Sequence, residues 1–263
     1  MNGTATLPRR SFGETMRADV WWTQPLLVFI GLSIFIVYST WAAFQGQNYF
    51  FGNYISPFYS PEILGDSPHS WFGPKPDWWP AWLIFSPALL VLWAPGGFRL
   101  TCYYYRGAYY KAFWADPPAC TVGEPRKSYW GERSFPLIMQ NVHRYFLYLA
   151  ILFLCFLWYD VFKAFSFSGK FGVGLGIVIM LVNVCLLTLY TFSCHSLRHI
   201  VGGKLDCFSC STLGPPRHSA WSFLTLLNER HMVWAWASLV SVGCTDFYIR
   251  MLASGVFKDL RLL

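Results

Sequence analysis

Three cysteines and two histidines fall within residues 192–210, FSCHSLRHIVGGKLDCFSC. Thiolate and imidazole are the side chains that bind iron and zinc most readily in proteins. His195 and His199 are four residues apart, so they lie on one face of a helix. The Gly-Gly pair that follows would end this helix and return the chain toward its start. Cys207 and Cys210 would then lie near the two histidines, as in a metal centre.

Three cofactors fit these residue types. Zinc would take the Cys-x-x-Cys pair together with two histidines. Haem b would take two histidines from different helices, such as His143, His195 or His231. A Rieske-type 2Fe–2S centre needs two cysteines on one iron and two histidines on the other. The usual Rieske spacing, C-x-H followed by C-x-x-H, does not occur in the chain. Spacing alone therefore leaves the three cofactors open.

The composition is that of an integral membrane protein. Hydrophobic residues make up 55% of the chain and charged residues only 13%, whereas soluble domains carry about 25% charged residues. The mean hydropathy is +0.36. In a soluble fold of this size, much of that apolar surface would face water.

Five apolar stretches are long enough to cross a bilayer, which takes about 20 residues. They cover approximately residues 20–44, 78–103, 136–162, 171–199 and 228–253, and the second is broken by Pro95-Gly96-Gly97. The first is longer than the apolar run of a signal peptide, about 7–15 residues, so it is predicted to be retained. The sequence therefore predicts an all-α membrane protein: an N-terminal arm, residues 1–19, and one five-helix bundle, residues 20–263.

Lysine and arginine near the helix ends predict the orientation. Eleven of these cations flank one side of the predicted bundle and five flank the other. Positive charge is retained on the cytoplasmic side, so the N-terminus is predicted to be cytoplasmic and the C-terminus external, in the plasma membrane. The net charge of +7 is explained by this bias together with an interaction with anionic lipid or with a soluble partner. Binding of nucleic acid is not needed to explain it.

This topology places most of the ligand-type side chains in the cytoplasmic half. They are His143, His195, His199, His218, His231, Cys102, Cys120, Cys194, Cys207 and Cys210. Cytoplasmic thiols are kept reduced, so a Cys-x-x-Cys pair there more often binds metal or is redox-active than forms a structural disulfide. The alternative for any single residue is structural, since histidine is favourable at a helix end and cysteine is common in apolar cores.

Aromatic and basic residues lie beside these ligands. The segment RLTCYYYRGAYYKAFWADPPAC contains Tyr104 and Arg106, and QNVHRYF contains Arg144 and Tyr145. Such side chains can hydrogen-bond the carbonyl oxygens of a quinone and stack on its ring. The alternative is an interfacial helix whose tyrosines lie in the lipid headgroups and whose cations meet phosphate.

Four motifs together resemble the single-chain membrane anchor of actinobacterial succinate dehydrogenase. They are TCYYYRGAYYKAFWADPPAC, PLIMQNVHRYF, CHSLRHIVGGKLDCFSC and NERHMVWAWASL. The resemblance implies a subunit without independent activity, bound to a flavoprotein and an iron–sulfur subunit on the cytoplasmic face. Electrons from succinate would pass through FAD and iron–sulfur clusters to menaquinone or ubiquinone in this chain.

The class that this chain resembles is associated with a Rieske-type 2Fe–2S cluster within the membrane anchor. Because the usual spacing is missing, the resemblance does not assign the ligands residue by residue. The densest set is the first choice: His195, His199, Cys207 and Cys210. Cys120, His143 and His231 are the alternatives, since ligands from separate helices would hold the bundle together.

Three other functions stay open. A di-haem b anchor would use the histidines as axial ligands and would be indifferent to the cysteines. A proton or metal transporter would need a polar path to the external face, and the apolar run YLAILFLCFLW, residues 148–158, argues against one. A purely structural anchor would leave electron transfer intact after loss of the ligands.

Overall fold

The structure is a computed structural model that describes residues 11–82, 84–126, 136–167, 170–203 and 207–262. Its helices are α1 (Thr23–Gln45), α2 (Pro87–Val91), α3 (Trp93–Thr101), α4 (Tyr103–Phe113), α5 (Pro136–Ala164), α6 (Leu175–Phe192), α7 (His195–Gly202), α8 (Gly214–Glu229) and α9 (His231–Ala253). Two antiparallel hairpins join β1 (Phe50–Phe51) to β2 (Tyr54–Ile55) and β3 (Ser166–Phe167) to β4 (Lys170–Phe171). Five cations used to predict the orientation lie outside the described residues: Arg9, Arg10, Lys127, Arg133 and Lys204.

Within the described residues, four helices are long and apolar enough to cross a membrane: α1, α5, α6 and α9. Helices α1 and α9 run in the same direction, because Arg250 near the end of α9 donates to the carbonyl of Ala42 near the end of α1. Helix α6 runs the opposite way, since Ser193 just beyond its end contacts His231 at the start of α9. The chain is therefore a multi-pass membrane protein.

The second predicted span is shorter than expected. Helix begins only at Pro87, not near residue 78, and it is interrupted at Leu92. Prolines favour a helix start but interrupt helix interiors. The segment still joins the two ends of the bundle. Ser86 lies beside Tyr59, which donates to Ala42, while Thr101 contacts His143 at the opposite end.

The fourth and fifth predicted spans are also divided. Helix α6 ends at Phe192, and α7 starts a new helix at His195 instead of continuing to residue 199. Likewise α8 precedes α9, and the two are separated only at Arg230. These breaks lie at the end of the bundle that holds the starts of α1, α5 and α9, called here the proximal end.

The opposite, distal end is closed by a buried ion pair. Arg250 and Asp246 are one helical turn apart on α9 and form a salt bridge of 2.7 Å. The carboxylate also accepts from Tyr38 and Ser56, and the guanidinium donates to the backbone at Gln47. A buried charge is costly unless it is paired and hydrogen-bonded. Here both conditions are met, so the pair fixes α9 to α1 and to the loop between α1 and α2.

Candidate metal centre and adjoining cavity

Two cysteines and two histidines from four places in the chain meet at the proximal end. Cys102 separates α3 from α4, His143 lies in α5, Cys194 separates α6 from α7, and His231 begins α9. Cys102 Sγ lies 3.3 Å from His231 Nε2, and Cys194 Sγ lies 3.0 Å from His143 Nε2. Both cysteines and His143 are buried. The site thus consists of two His–Cys pairs enclosed by the helices.

Helix breaks place the two sulfurs. Cys102 has φ −61° and ψ 131°, and Cys194 has φ −65° and ψ 133°. Each is therefore a single extended residue between two helices, and the chain changes direction there. If the helices continued through these two residues, Cys102 would not be the N-cap of α4 and Cys194 would not be the N-cap of α7. The breaks that shorten the predicted spans thus also create the site.

A hydroxyl group holds each imidazole in place. Thr101 Oγ1 lies 2.9 Å from His143 Nδ1, and Ser193 Oγ lies 2.6 Å from His231 Nδ1. Each hydroxyl residue directly precedes one cysteine and contacts the histidine of the other pair. With Nδ1 engaged in this way, both Nε2 atoms are directed at sulfur. Metal-binding histidines are oriented by just such a partner on their second nitrogen.

The donor set does not suit a single metal ion within the described residues. No group of three or more His, Cys, Asp or Glu side chains within the described residues is arranged to hold one metal ion. A mononuclear zinc site is therefore not supported in this part of the chain. A 2Fe–2S cluster has a different requirement, because each iron takes only two protein donors and inorganic sulfide supplies the rest. Two thiols and two imidazoles are the set that a Rieske-type cluster needs.

The surroundings disfavour a bare thiolate. Burial raises the pKa of the Cys194 thiol to about 11. Desolvation in an apolar core disfavours the charged form of any acid. Cys194 would therefore stay protonated near neutral pH unless a metal supplied the compensating positive charge.

A cavity of about 1670 Å³ opens beside the four donors. Its wall includes all four of them and also Trp21, Tyr104, Arg106, Glu229 and Trp236. Trp236 donates a 2.7 Å hydrogen bond to the Tyr104 hydroxyl, and Arg106 is buried in the wall. Aromatic walls with a few fixed polar groups are typical of sites for flat organic ligands.

The structure does not gather the first-choice ligand set. Cys207 and Cys210 are joined by a disulfide, so neither sulfur is a free thiol. The rings of His195 and His199 lie 4.7 Å apart on α7, whereas the sulfur–imidazole contacts within the described residues join Cys102 to His231 and Cys194 to His143. The physical reason is the helix break at Cys194, which separates α7 from the apolar span.

The alternative ligands have different outcomes. His143 and His231 are brought together with sulfur, whereas Cys120 is exposed and its carbonyl accepts from Arg17. The sequence predicted Cys102 and Cys194 only as members of the cytoplasmic group of ligand-type residues. Their distinguishing signal was a Thr or Ser immediately before each cysteine at the end of an apolar run, Thr101 and Ser193.

The residues predicted to bind quinone differ in whether they line the cavity. Tyr104 and Arg106 line the cavity beside the His–Cys pairs. Arg144 also lines the cavity, but it is exposed. Tyr145 is 71% exposed and is not part of the cavity wall. Helix α5 therefore turns Tyr145 away from the site into which it directs His143.

Comparisons with known proteins agree on one family. The family model described as "Actinobacterial succinate dehydrogenase subunit SdhC" matches residues 23–255. A chain in the solved structure "Mycobacterium smegmatis Sdh1 complex in the apo form" is 43% identical, with a TM-score of 0.87, over 100% of this chain and 98% of that chain. No curated protein matches the chain.

Proposed function

Since the chain belongs to the family of actinobacterial succinate dehydrogenase subunit SdhC, we propose that it anchors the catalytic subunits and passes their electrons to quinone. The chain is a membrane subunit of a succinate dehydrogenase complex, and its partners are the flavoprotein and iron–sulfur subunits. It has no independent activity, because oxidation of succinate takes place in the soluble partners.

The His–Cys pairs are proposed as the ligands of a Rieske-type 2Fe–2S cluster. Cys102 and Cys194 would bind one iron, and His143 and His231 the other. The observation that carries the choice of these four donors is the contact of each sulfur with an imidazole Nε2 atom, at 3.3 and 3.0 Å. When bound, such a cluster supplies one-electron transfer between the iron–sulfur subunit and the membrane. The first-choice set is replaced by residues from four separate elements.

The chain's own residues prepare this site. Thr101 and Ser193 hold the Nδ1 atoms, so the two imidazoles present Nε2 without reorganisation. Phe98 stacks on His143 with the ring centroids 4.7 Å apart, and this packing helps to fix the orientation of the imidazole. Contacts to the second ring nitrogen and apolar packing around the ligands are means by which a protein tunes a metal centre.

The quinone ring is proposed to bind in the adjoining cavity. The Tyr104 hydroxyl oxygen accepts a hydrogen bond from the Trp236 indole N–H. The hydroxyl hydrogen of Tyr104 is therefore available to donate to a quinone carbonyl. Arg106 would supply a second donor from the same wall. Glu229, also in the wall, is a candidate for supplying protons to the reduced ring. Menaquinone and ubiquinone both present the two carbonyl oxygens that this arrangement requires.

The donor set favours a cluster over the haem alternative. A haem would use His143 and His231 as axial ligands. It would leave without a role the two cysteines that contact these imidazoles, Cys102 and Cys194. A Rieske-type cluster uses all four donors.

Substitution of one sulfur ligand in the intact complex tests the proposal. In Cys194→Ser, we expect succinate oxidation by an artificial soluble acceptor to persist while quinone reduction falls to background. Cys207→Ser is the comparison variant, because it removes a sulfur of the first-choice ligand set outside the His–Cys pairs, and it should retain both activities.

Two outcomes would count against the proposal. Equal loss of both activities in Cys194→Ser would indicate failed assembly and an anchor with a structural role alone. Loss of quinone reduction in Cys207→Ser, with Cys194→Ser unaffected, would return the ligands to the Cys-x-x-Cys segment.

A further inference from the structure

Tyr190 is a buried polar residue that the proposed function leaves unexplained. It lies near the end of α6, in the core at the proximal end, and is 2% exposed. Its side chain packs in one buried cluster with Cys102, and its hydroxyl has no hydrogen-bond partner within the described residues. Buried hydroxyl groups are nearly always hydrogen-bonded. An unpartnered donor beside a candidate ligand therefore points to a group that is bound there.

The ring of Tyr190 connects the candidate centre to a partly buried cation, Arg99. It stacks on His231 with the ring centroids 5.3 Å apart and the planes at 22°. The Arg99 guanidinium carbon lies 4.6 Å from the centroid of the same ring. Among the described residues, Arg99 donates to neutral groups, namely the hydroxyls of Tyr105 and Ser238 and the carbonyl of Ala235.

We propose that Tyr190 donates a hydrogen bond to the Cys102 sulfur of the bound cluster and, with Arg99, raises the reduction potential of that cluster. The inference rests on the proposed function, since it needs the cluster to be present. Both are positioning residues, because neither supplies a ligand to iron.

The physical reason is the change of charge on reduction. The added electron makes the cluster and its sulfurs more negative, so a donated hydrogen bond and a nearby cation stabilise the reduced form more than the oxidised one. In a core of low dielectric constant, both effects are stronger than in water. Arg99 also holds the Tyr190 ring in place through its cation–π contact.

The test is a redox titration of the whole complex, with the cluster followed by EPR. Tyr190→Phe keeps the ring contacts with His231 and Arg99 and removes only the hydroxyl. We expect its reduction equilibrium to shift about tenfold toward the oxidised form, which is 59 mV for a one-electron couple. Tyr109→Phe is the matched control, because the Tyr109 hydroxyl donates to the carbonyl of Leu100. Its midpoint potential should equal that of the unmodified complex.

The possible failures are distinguishable. A cluster signal with an unchanged potential in Tyr190→Phe overturns this inference and leaves the proposed function intact. Absence of a cluster signal in the unmodified complex overturns the proposed function and the inference together. If Tyr190→Phe does not assemble, Arg99→Gln takes its place: a lowered midpoint potential supports the inference, and an unchanged one contradicts it.

Discussion

At the scale of single residues, the site has an internal symmetry that its function would use. Each cysteine contacts one histidine, and the hydroxyl residue just before that cysteine contacts the other histidine. Orientation of the imidazoles and placement of the sulfurs are therefore coupled. A change at either hydroxyl should disturb the centre without removing a ligand.

Ser193→Ala tests this coupling. The substitution removes the 2.6 Å contact to His231 Nδ1, and loss of such a partner lowers metal affinity by about 10–100-fold. We expect the purified variant complex to lose iron faster than the unmodified complex during incubation with a chelator. Ser254→Ala makes the same change at a hydroxyl that donates to the backbone carbonyl of Met251, at the distal end, and it should lose iron at the unmodified rate. Equal retention in both variants would contradict the orienting role of Ser193.

The sequence predicted part of this site. Residue type and membrane side were enough to place His143 and His231 among the candidate ligands. Density along the chain instead favoured His195, His199 and the Cys-x-x-Cys pair, which the structure does not bring together. Closeness in sequence was a poor guide because the four donors come from four elements, and their meeting depends on tertiary packing.

At the scale of elements, the approach of α3 to α5 delivers both Thr101 and His143. Gly97 makes this approach possible, since a Cβ at this position would overlap the ring of Phe146. A Cβ on the neighbouring Gly96 would meet no atom within 4 Å. The two adjacent glycines therefore differ sharply in their surroundings.

Gly97→Ala should destabilise the complex, and Gly96→Ala should not. Overpacking costs about 1–3 kcal/mol, whereas alanine is favoured over glycine in a helix by up to about 1 kcal/mol. Thermal unfolding of the purified complex should show a lower melting temperature for Gly97→Ala and an equal or higher one for Gly96→Ala. Equal behaviour of the two variants would show that the α3–α5 contact does not require glycine.

The length of the apolar stretches predicted where the long helices lie better than it predicted the residues at which they end. The first and third spans agree with α1 and α5 to within a few residues at each end. The sequence predicted a break of the second span at Pro95-Gly96-Gly97, whereas α3 continues through these residues and the helix is interrupted at Leu92. The break at Ser193-Cys194 was not predicted, because the residues on both sides stay suitable for helix. At Ser193, the Asn228 side chain donates to the free carbonyl at 2.7 Å. A residue distant in sequence thus stabilises that helix end.

At the scale of the whole molecule, the two ends of the bundle differ in character. The distal end is closed by satisfied ionic and hydrogen-bonded groups around Asp246 and Arg250. The proximal end carries the His–Cys pairs and the large cavity. This asymmetry suits a protein that receives electrons at one end, and we expect the soluble subunits to bind the proximal end on the cytoplasmic side.

Labelling of introduced cysteines tests the orientation. Met16 near the proximal end is 89% exposed, and Val256 near the distal end is 66% exposed. In intact cells, a membrane-impermeant maleimide should label Val256→Cys and leave Met16→Cys at the level of the parent chain. Labelling of Met16→Cys alone would place the proximal end outside and contradict the predicted orientation.

The central claim is that Cys102, His143, Cys194 and His231 hold a 2Fe–2S cluster, and low-temperature EPR of the dithionite-reduced complex tests it most directly. We predict a signal additional to those of the iron–sulfur subunit, present in the unmodified complex and in Cys207→Ser but lost in Cys194→Ser. A visible spectrum recorded on the same samples should lack a haem Soret band. A Soret band without the additional signal, or a signal that survives in Cys194→Ser, would contradict the assignment.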